Sequence, residues 1–277
     1  MSKIDIIITT YRNKEKLKRC LSSVIKYTKF VDFSVFLWCN QPDEEVKKVV
    51  HDAIYIDDIM FTDRIIPIFN DNNDGSFSSN NNEAASEGSG DYILLLNDDC
   101  YVLNESWLLS MQRVLDTDQS IGAVGALLLY ADRQTIQHCG VMCSSRTNSL
   151  PFHIMYRQPA KKVNNFICRP RYYQAVTGAC MLVRRKDYET LNGLSSCFYY
   201  GFEDFALCLD IKHKLGKKSL YLPNACLVHD EGISGTFKSH PKIKENIKVL
   251  REKYKGKFFN DEHLYLNNIN YMVYGKK

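Results

Sequence analysis

No stretch of this 277-residue chain approaches the ~20 consecutive apolar residues that a membrane-spanning helix needs. The opening MSKIDIIITTY has too short an apolar run for a signal peptide and no small-residue cleavage pattern behind it, so a cytoplasmic location is expected. A strong charge imbalance is also missing. The 36 basic and 32 acidic residues leave +4, too mild to imply a nucleic-acid partner. Ten cysteines are present, but none forms a C-x-x-C pair; scattered through apolar runs, they read as reduced, buried thiols. Cys139 and Cys143 have a spacing that suits a metal, but without a second nearby pair they are weak ground for one. The segment TTYRNKEK, after the first apolar run, contains no glycine. That excludes a G-x-G-x-x-G dinucleotide fingerprint there and counts against the Gly- and basic-rich phosphate loop of nucleotidyltransferases. No internal repeat and no convincing linker interrupt the chain.

What is present is the 45% hydrophobic, 25% charged composition of an ordinary globular protein, long enough for a sizeable core. The first half alternates strand and helix signals. Strands are expected at 4–10, 33–40, 64–70 and within DYILLLNDDC (91–100). Between them, Leu17, Cys20, Leu21, Val24 and Ile25 share one helical face, and DEEVKKVVHDAI reads as a short helix. The polar stretch 71–90 must join two parallel strands, so it is read as a loop plus a helix over about 78–87. This alternation predicts an α/β fold with a mostly parallel sheet. Later, 105–116 and 203–216 are expected as helices, the second ended by Gly216; IGAVGALLLY and 179–185 are expected as strands. KSLYLPNACLVH (218–229) reads as two short strands broken at Pro223, and Pro241 opens a final helix. Residues 144–175 form a polar, aromatic-bearing insertion without a readable pattern.

Three clusters carry chemistry. Asn97-Asp98-Asp99 ends an apolar strand; such oxygen ligands suit a hard divalent cation with open positions for phosphates, or they cap a turn. Glu203 and Asp204 open a helix, where the positive end of the dipole favours carboxylates; taken alone they read as an N-terminal cap. His229 ends another apolar run, as a ligand or as a satisfied structural histidine. Residues 238–257 hold eight Lys or Arg against two Glu, a solvated helix face or a surface for an anionic membrane.

Taken together and in order, IIITTYRNKEKLKRCLSSV, LLLNDD, VTGACMLVRRKDYETLNGL and GFEDFALCLDIKHKLGKKSLYLPNACLVHDEGISG resemble the inverting family 2 glycosyltransferases, most of all the branch with rhamnosyltransferases of bacterial polysaccharides. The likeness runs over roughly residues 3–235. It implies a GT-A fold: a Rossmann-like α/β domain over 1–235, with a basic helical carboxyl-terminal extension, 236–277, packed on the same domain. It implies transfer of a hexosyl or deoxyhexosyl group from a nucleotide-diphosphate sugar, UDP- or dTDP-linked, to a hydroxyl of a glycan or lipid-linked glycan. A divalent metal, Mn²⁺ or Mg²⁺, would assist. By the same likeness Thr10, Tyr11, Arg12, Asn40, Asn73, Gly75, Asn81, Asn97, Asp98 and Gly178 contact the donor or line the cleft floor beside Ala179. Asp99 and His229 hold the metal, Asp204 is the base, and Glu203 orients the acceptor. Two departures stand out. Cys39 sits where the family usually has a base-reading Asp, leaving only Asn40, and Asn97 replaces the first Asp of D-x-D. The alternatives are a catalytically silent sugar-nucleotide-binding scaffold and, less favoured, a sugar nucleotidyltransferase.

Overall fold

A computed structural model describes residues 2–54, 64–72, 75–199, 201–231 and 242–266. In chain order the first half gives β1 (Lys3–Tyr11), α1 (Lys14–Tyr27), β2 (Asp32–Asn40), α2 (Glu44–Ile54), β3 (Ile65–Asn70), α3 (Phe77–Ser86) and β4 (Tyr92–Asn97). The second half gives β5 (Cys100–Val102), α4 (Trp107–Thr117), β6 (Ile121–Leu129), β7 (Ile136–His138), β8 (Val141–Cys143), β9 (Pro151–His153), α5 (Asn164–Ile167), β10 (Arg171–Tyr173) and β11 (Cys180–Arg184). The chain continues through α6 (Arg185–Thr190), α7 (Glu203–Leu215), β12 (Lys218–His229), α8 (Ile243–Lys253) and α9 (Glu262–Leu266).

The main sheet runs β10-β12-β6-β11-β4-β1-β2-β3. The pairs β4–β1, β1–β2, β2–β3 and β6–β12 are parallel, while β11 is antiparallel to both β4 and β6. Helices cover both faces, which is why the central strands are continuous apolar runs rather than alternating ones. Successive side chains go to opposite cores: Ile6 and Ile8 join the core that contains Leu17, Leu21 and Trp107, whereas Ile7 joins the one that contains Ala84, Phe205 and Leu250. The helix α8 joins this second core through Ile243, Leu250 and Tyr254, and the Tyr254 hydroxyl donates to Asp210 at 3.2 Å.

Asp5 lies in β1 with no exposed surface. Its Oδ2 accepts from Arg185 Nη2 at 2.7 Å and from the Gly90 amide at 2.6 Å. Arg185 also donates to the carbonyls of Gly90 and Ala85 and to Glu189 Oε1 at 3.3 Å, so the Asp5–Arg185 pair fastens β11 and α6 to the amino end of β1.

One sequence expectation needs correction. Residues 218–229 form one strand, because the missing N–H of Pro223 interrupts only the pairing with β6: the register slips between Leu222 and Cys226 and resumes. Residues 144–175, where the sequence shows no readable pattern, contain regular elements. They supply β9, which hairpins onto β8, then α5 and the edge strand β10, fastened by Gln174, whose amide bonds the Phe259 backbone at 2.8 and 3.1 Å. The helix expected to open at Pro241 is α8, Ile243–Lys253, followed by the short α9; Pro241 itself lies outside the described residues. All ten cysteines are free, and seven of them are buried.

Candidate active site

Because β1 and β4 are parallel, their carboxyl ends share one edge of the sheet, where open α/β sheets bind ligands. There the Thr10 hydroxyl donates to Asp98 Oδ2 at 2.6 Å. Burial, and then the neighbouring Asp99 carboxylate, push Asp98 up to about 7 despite hydrogen bonds from Thr10 and Asn13. The short strand β5 folds back antiparallel onto the end of β12, setting Cys100 opposite His229, and the Asp230 amide donates to the Asp99 carbonyl at 3.0 Å. This pairing brings two residues 130 positions apart into contact: His229 Nε2 lies 3.1 Å from Asp99 Oδ1, both buried.

The donor set at this point is incomplete. Asn97 Nδ2 and His229 Nε2 lie 3.4 Å apart, and Asp99 Oδ1 faces the same ring nitrogen with no hydrogen-bond partner among the described residues. Asn97 Oδ1 and His229 Nδ1 are likewise buried without partners among the described residues. A carboxylate oxygen and an imidazole nitrogen brought this close suit a divalent ion such as Mn²⁺. Cys100 Sγ is within the same cluster. It donates to the Ala179 carbonyl at 3.3 Å, however, and burial pushes its thiol well above the ordinary range, so it stays protonated and is no ligand for a hard cation.

The carboxylate pair of α7 reaches this edge through the turn before β11. The Asn97 amide donates to the Ala179 carbonyl at 3.1 Å; one residue earlier, the Gly178 amide donates to Asp204 Oδ2 at 2.9 Å. A Cβ at Gly178 would meet Asp204 Cβ at 3.2 Å, so glycine allows this close approach. The Phe205 amide bonds Asp204 Oδ1 at 2.7 Å, holding the carboxylate from both sides. The helix is aimed by two consecutive left-handed residues, Gly201 (φ 80°) and Phe202 (φ 75°). A buried aromatic in that region is strained, the kind of conformation that clusters at functional sites. Glu203 is buried with Oε2 unpartnered, and burial, then the Asp204 charge, raise its carboxyl to about 8.

The remaining expected residues are more dispersed. Tyr11 is 48% exposed, with the Arg12 guanidinium 5.2 Å above its ring and Arg12 itself left-handed (φ 52°), forming a lip beyond β1. Asn40 Oδ1 is taken up by Trp38 Nε1 at 2.9 Å and Asn70 Nδ2 at 3.3 Å. Cys39 is fully buried, its thiol pushed up to about 12 by burial. Asn81 turns its amide to the Phe77 carbonyl at 2.8 Å, and a Cβ at Gly75 would strike Asn80 Oδ1 at 2.0 Å. Asn73 lies outside the described residues.

Sequence reading missed Lys16, which donates to the Asp230 carbonyl, and it missed a histidine pair. The Thr177 amide donates to His138 Nε2 at 3.4 Å, and the His153 ring meets that of His138 edge-on at 4.7 Å. Only the β8–β9 hairpin brings them together; no spacing in the sequence signals it.

Residues 5–191 match the family model Glycosyl transferase family 2. The uncharacterized protein y4gI of Sinorhizobium fredii is 27% identical over 93% of this chain, and the O-antigen biosynthesis protein RfbC of Myxococcus xanthus is 26% identical over 84%. The chain spans only 28% and 18% of the length of those two proteins. Among solved structures, the mannosyltransferase PcManGT from Pyrobaculum calidifontis, in complex with GDP-Man and Mn²⁺, superposes with a TM-score of 0.61 at 14% identity, over 86% of this chain and 59% of its own. GalNAc-T7 with UDP, GalNAc and Mn²⁺ superposes with a TM-score of 0.70 at 16% identity, over 92% of this chain and 50% of its own. The helix-flanked, mostly parallel sheet is thus the GT-A fold, and with two thirds of its length inside the family model the chain belongs to glycosyl transferase family 2.

Proposed function

We propose that the chain is an inverting, metal-dependent glycosyltransferase that moves a hexosyl or deoxyhexosyl group from a nucleotide-diphosphate sugar to a hydroxyl of a glycan or lipid-linked glycan. One observation carries this reading. Ala179 and Gly178, adjacent in the chain, bond the strand end that bears Asp99 on one side and the Asp204 carboxylate on the other. A cation-binding pair and a positioned carboxylate thus share one short turn.

In this reading Asp99 and His229 hold a divalent ion, which supplies Lewis-acid stabilisation for the departing diphosphate when bound. Asp204 accepts the proton of the attacking hydroxyl, its two oxygens already oriented by the Gly178 and Phe205 amides. Glu203, protonated at neutral pH because of its burial, donates a hydrogen bond to the acceptor and adds no second negative charge beside the base. Attack from the Asp204 side, opposite the diphosphate, inverts the anomeric centre. Thr10, Asn97 and Asp98 shape the floor under the diphosphate, Tyr11 and Arg12 its outer lip, and Asn40, Gly75 and Asn81 the nucleotide side.

The two neighbouring structures were solved with GDP- and UDP-type ligands and Mn²⁺, which supports Mn²⁺ or Mg²⁺ here; a UDP- or dTDP-sugar is the proposed donor. The O-antigen relative supports a polysaccharide acceptor, and the motif likeness supports a rhamnosyltransferase-like branch. Among the described residues no helix is long and apolar enough to cross a membrane. A cytoplasmic protein that touches an anionic membrane through the basic segment 238–257 fits the lysines on the outer side of α8.

The test is a thermal-shift screen of nucleoside diphosphates and their sugars with Mn²⁺, Mg²⁺ or a chelator. A ligand at 100 times its dissociation constant stabilises by about 2.7 kcal/mol. Stabilisation by one nucleotide class, abolished by chelator, is expected. No response to any of them would leave a silent scaffold as the better reading.

A further inference from the structure

Beside the turn that holds Asp204 lies a polar and aromatic cluster that the mechanism above does not use. Glu231, two residues beyond His229, accepts from both the Tyr130 and Tyr156 hydroxyls on Oε2, at 3.2 and 3.3 Å, and from Gln137 Nε2 on Oε1 at 2.8 Å. The two tyrosine rings meet edge-to-face at 5.9 Å, and Tyr156 meets His153 at 6.2 Å. Both tyrosines are half-buried, and the Arg157 guanidinium lies 6.0 Å from the Tyr130 ring centroid and 5.4 Å from that of Tyr156. His153 Nδ1 donates to the Gln137 carbonyl at 3.0 Å, which leaves Nε2 as a bare acceptor. Burial keeps the ring neutral against the pull of the Asp204 and Glu231 carboxylates. Gln137, 2% exposed, has no partner for Oε1 among the described residues, and neither has His138 Nδ1, whose Nε2 is taken by Thr177.

We propose that Tyr130, His153, Tyr156, Arg157 and Glu231 form a carbohydrate subsite that seats a pyranose ring of the acceptor, with the enclosed Gln137 and His138 behind it. The proposal rests on the glycosyltransferase reading. Its chemistry follows from the groups that reach the surface. His153 Nε2 and the remaining lone pairs of Glu231 are acceptors and the Arg157 guanidinium is a donor, so a ligand must bring both donors and acceptors. A phosphate cannot donate to the first two, whereas sugar hydroxyls donate and accept at once. Tyrosine rings offer apolar area to the C–H face of a pyranose while their hydroxyls stay anchored. The position fits too. Thr177, which holds His138, directly precedes Gly178, which holds Asp204, so a ring seated here presents its hydroxyls on the side of the proposed base.

The experiment is saturation-transfer NMR with methyl glycosides of common hexoses and 6-deoxyhexoses, on wild type, Tyr156→Ala and Glu231→Gln. Wild type should transfer saturation to the ring C–H protons of at least one glycoside. Tyr156→Ala should weaken its binding by roughly 2- to 12-fold, the range for one lost aromatic contact. Glu231→Gln, at an exposed site, should also weaken it and carries the test if the alanine variant does not fold. No saturation of any glycoside by wild type, or equal saturation by wild type and Glu231→Gln, overturns the subsite. Metal-dependent stabilisation by nucleotide, measured in parallel, separates the two readings. If it persists without a sugar signal, the subsite alone fails. If it is absent while the sugar signal depends on Tyr156 and Glu231, the donor reading fails and the subsite stands.

Discussion

Glu203→Gln tests the electrostatics of the site without any substrate. The buried carboxyl of Glu203 is raised from an ordinary 4.5 to about 8, first by burial and then by the Asp204 charge. Between those two values the folded protein keeps a proton that the unfolded chain has released. The unfolding free energy therefore falls as pH rises, by at most ~1.4 kcal/mol per pH unit. The contribution is fully present below pH 4.5, is lost progressively towards pH 8, and is flat above it. Glutamine has nearly the same shape and no charge, so Glu203→Gln lacks this slope. Urea unfolding of both proteins at pH 5, 6.5 and 8 should show near-equal stability at pH 5. At pH 8 the variant should be the more stable by ~2–4 kcal/mol, since three pH units set a ceiling of about 4. Titrations elsewhere in the protein cancel in the difference. A difference that stays constant from pH 5 to pH 8 would show that Glu203 is ionised in the folded protein, and its role as hydrogen-bond donor to the acceptor would fall with it.

Asp204→Asn should lower turnover by roughly 10²–10⁴-fold, the usual worth of a positioned base. Two amides converge on this carboxylate and an asparagine oxygen satisfies one of them, so urea unfolding should also show a loss of ~1–3 kcal/mol; near-normal turnover would remove Asp204 as the base. Asp99→Asn should abolish the metal-dependent part of nucleotide stabilisation, as a chelator does for wild type, and a thermal shift that survives in both cases would mean that the ion is held elsewhere. Asp5→Ala should cost ~3–5 kcal/mol in chemical denaturation, because it leaves the buried Arg185 with only the exposed Glu189 as a charged partner. Its nucleotide-dependent shift should persist, since the pair lies at the opposite end of β1; a cost below about 1 kcal/mol would mean that Glu189 and the carbonyls of Ala85 and Gly90 satisfy the guanidinium without Asp5.

The elements legible in the sequence are those whose burial is two-sided or strictly one-faced. The runs at 4–10, 33–40 and 92–97 are apolar because helices cover both sheet faces, and α1 shows its inner stripe at Leu17, Cys20, Leu21 and Val24. Gly216 stops α7 with φ 68°, as its position implied. Residues 144–175 have no local pattern because distant partners hold them: the Tyr221 hydroxyl bonds the Ile167 carbonyl, and the Gln174 amide bonds the Phe259 backbone. In the same way nothing local announces that Asp5, a charge inside an apolar strand, meets Arg185. At the edge of the sheet, Asp99 and His229 were individually ambiguous between ligand and structural roles. The β5–β12 pairing that joins them is a tertiary fact, and only the likeness to a family put them in one site beforehand. The histidine pair had no such help.

The reversal of chain direction at β11 has a consequence for the entropy of binding. This strand is flanked on both sides, by β4 and β6, and the residues just past its far end fix Asp5 and, through Arg184 and Lys217, Asp187. The turn at its near end, Thr177 to Ala179, is therefore tethered to the most enclosed part of the sheet rather than to a free loop. On the proposed mechanism, a hydroxyl approaching Asp204 would meet donors and a carboxylate that already have their orientation, with little conformational freedom left to lose there on association. Whatever ordering accompanies catalysis must come from the substrates and from other parts of the chain, while this turn behaves as a rigid template against which both are aligned.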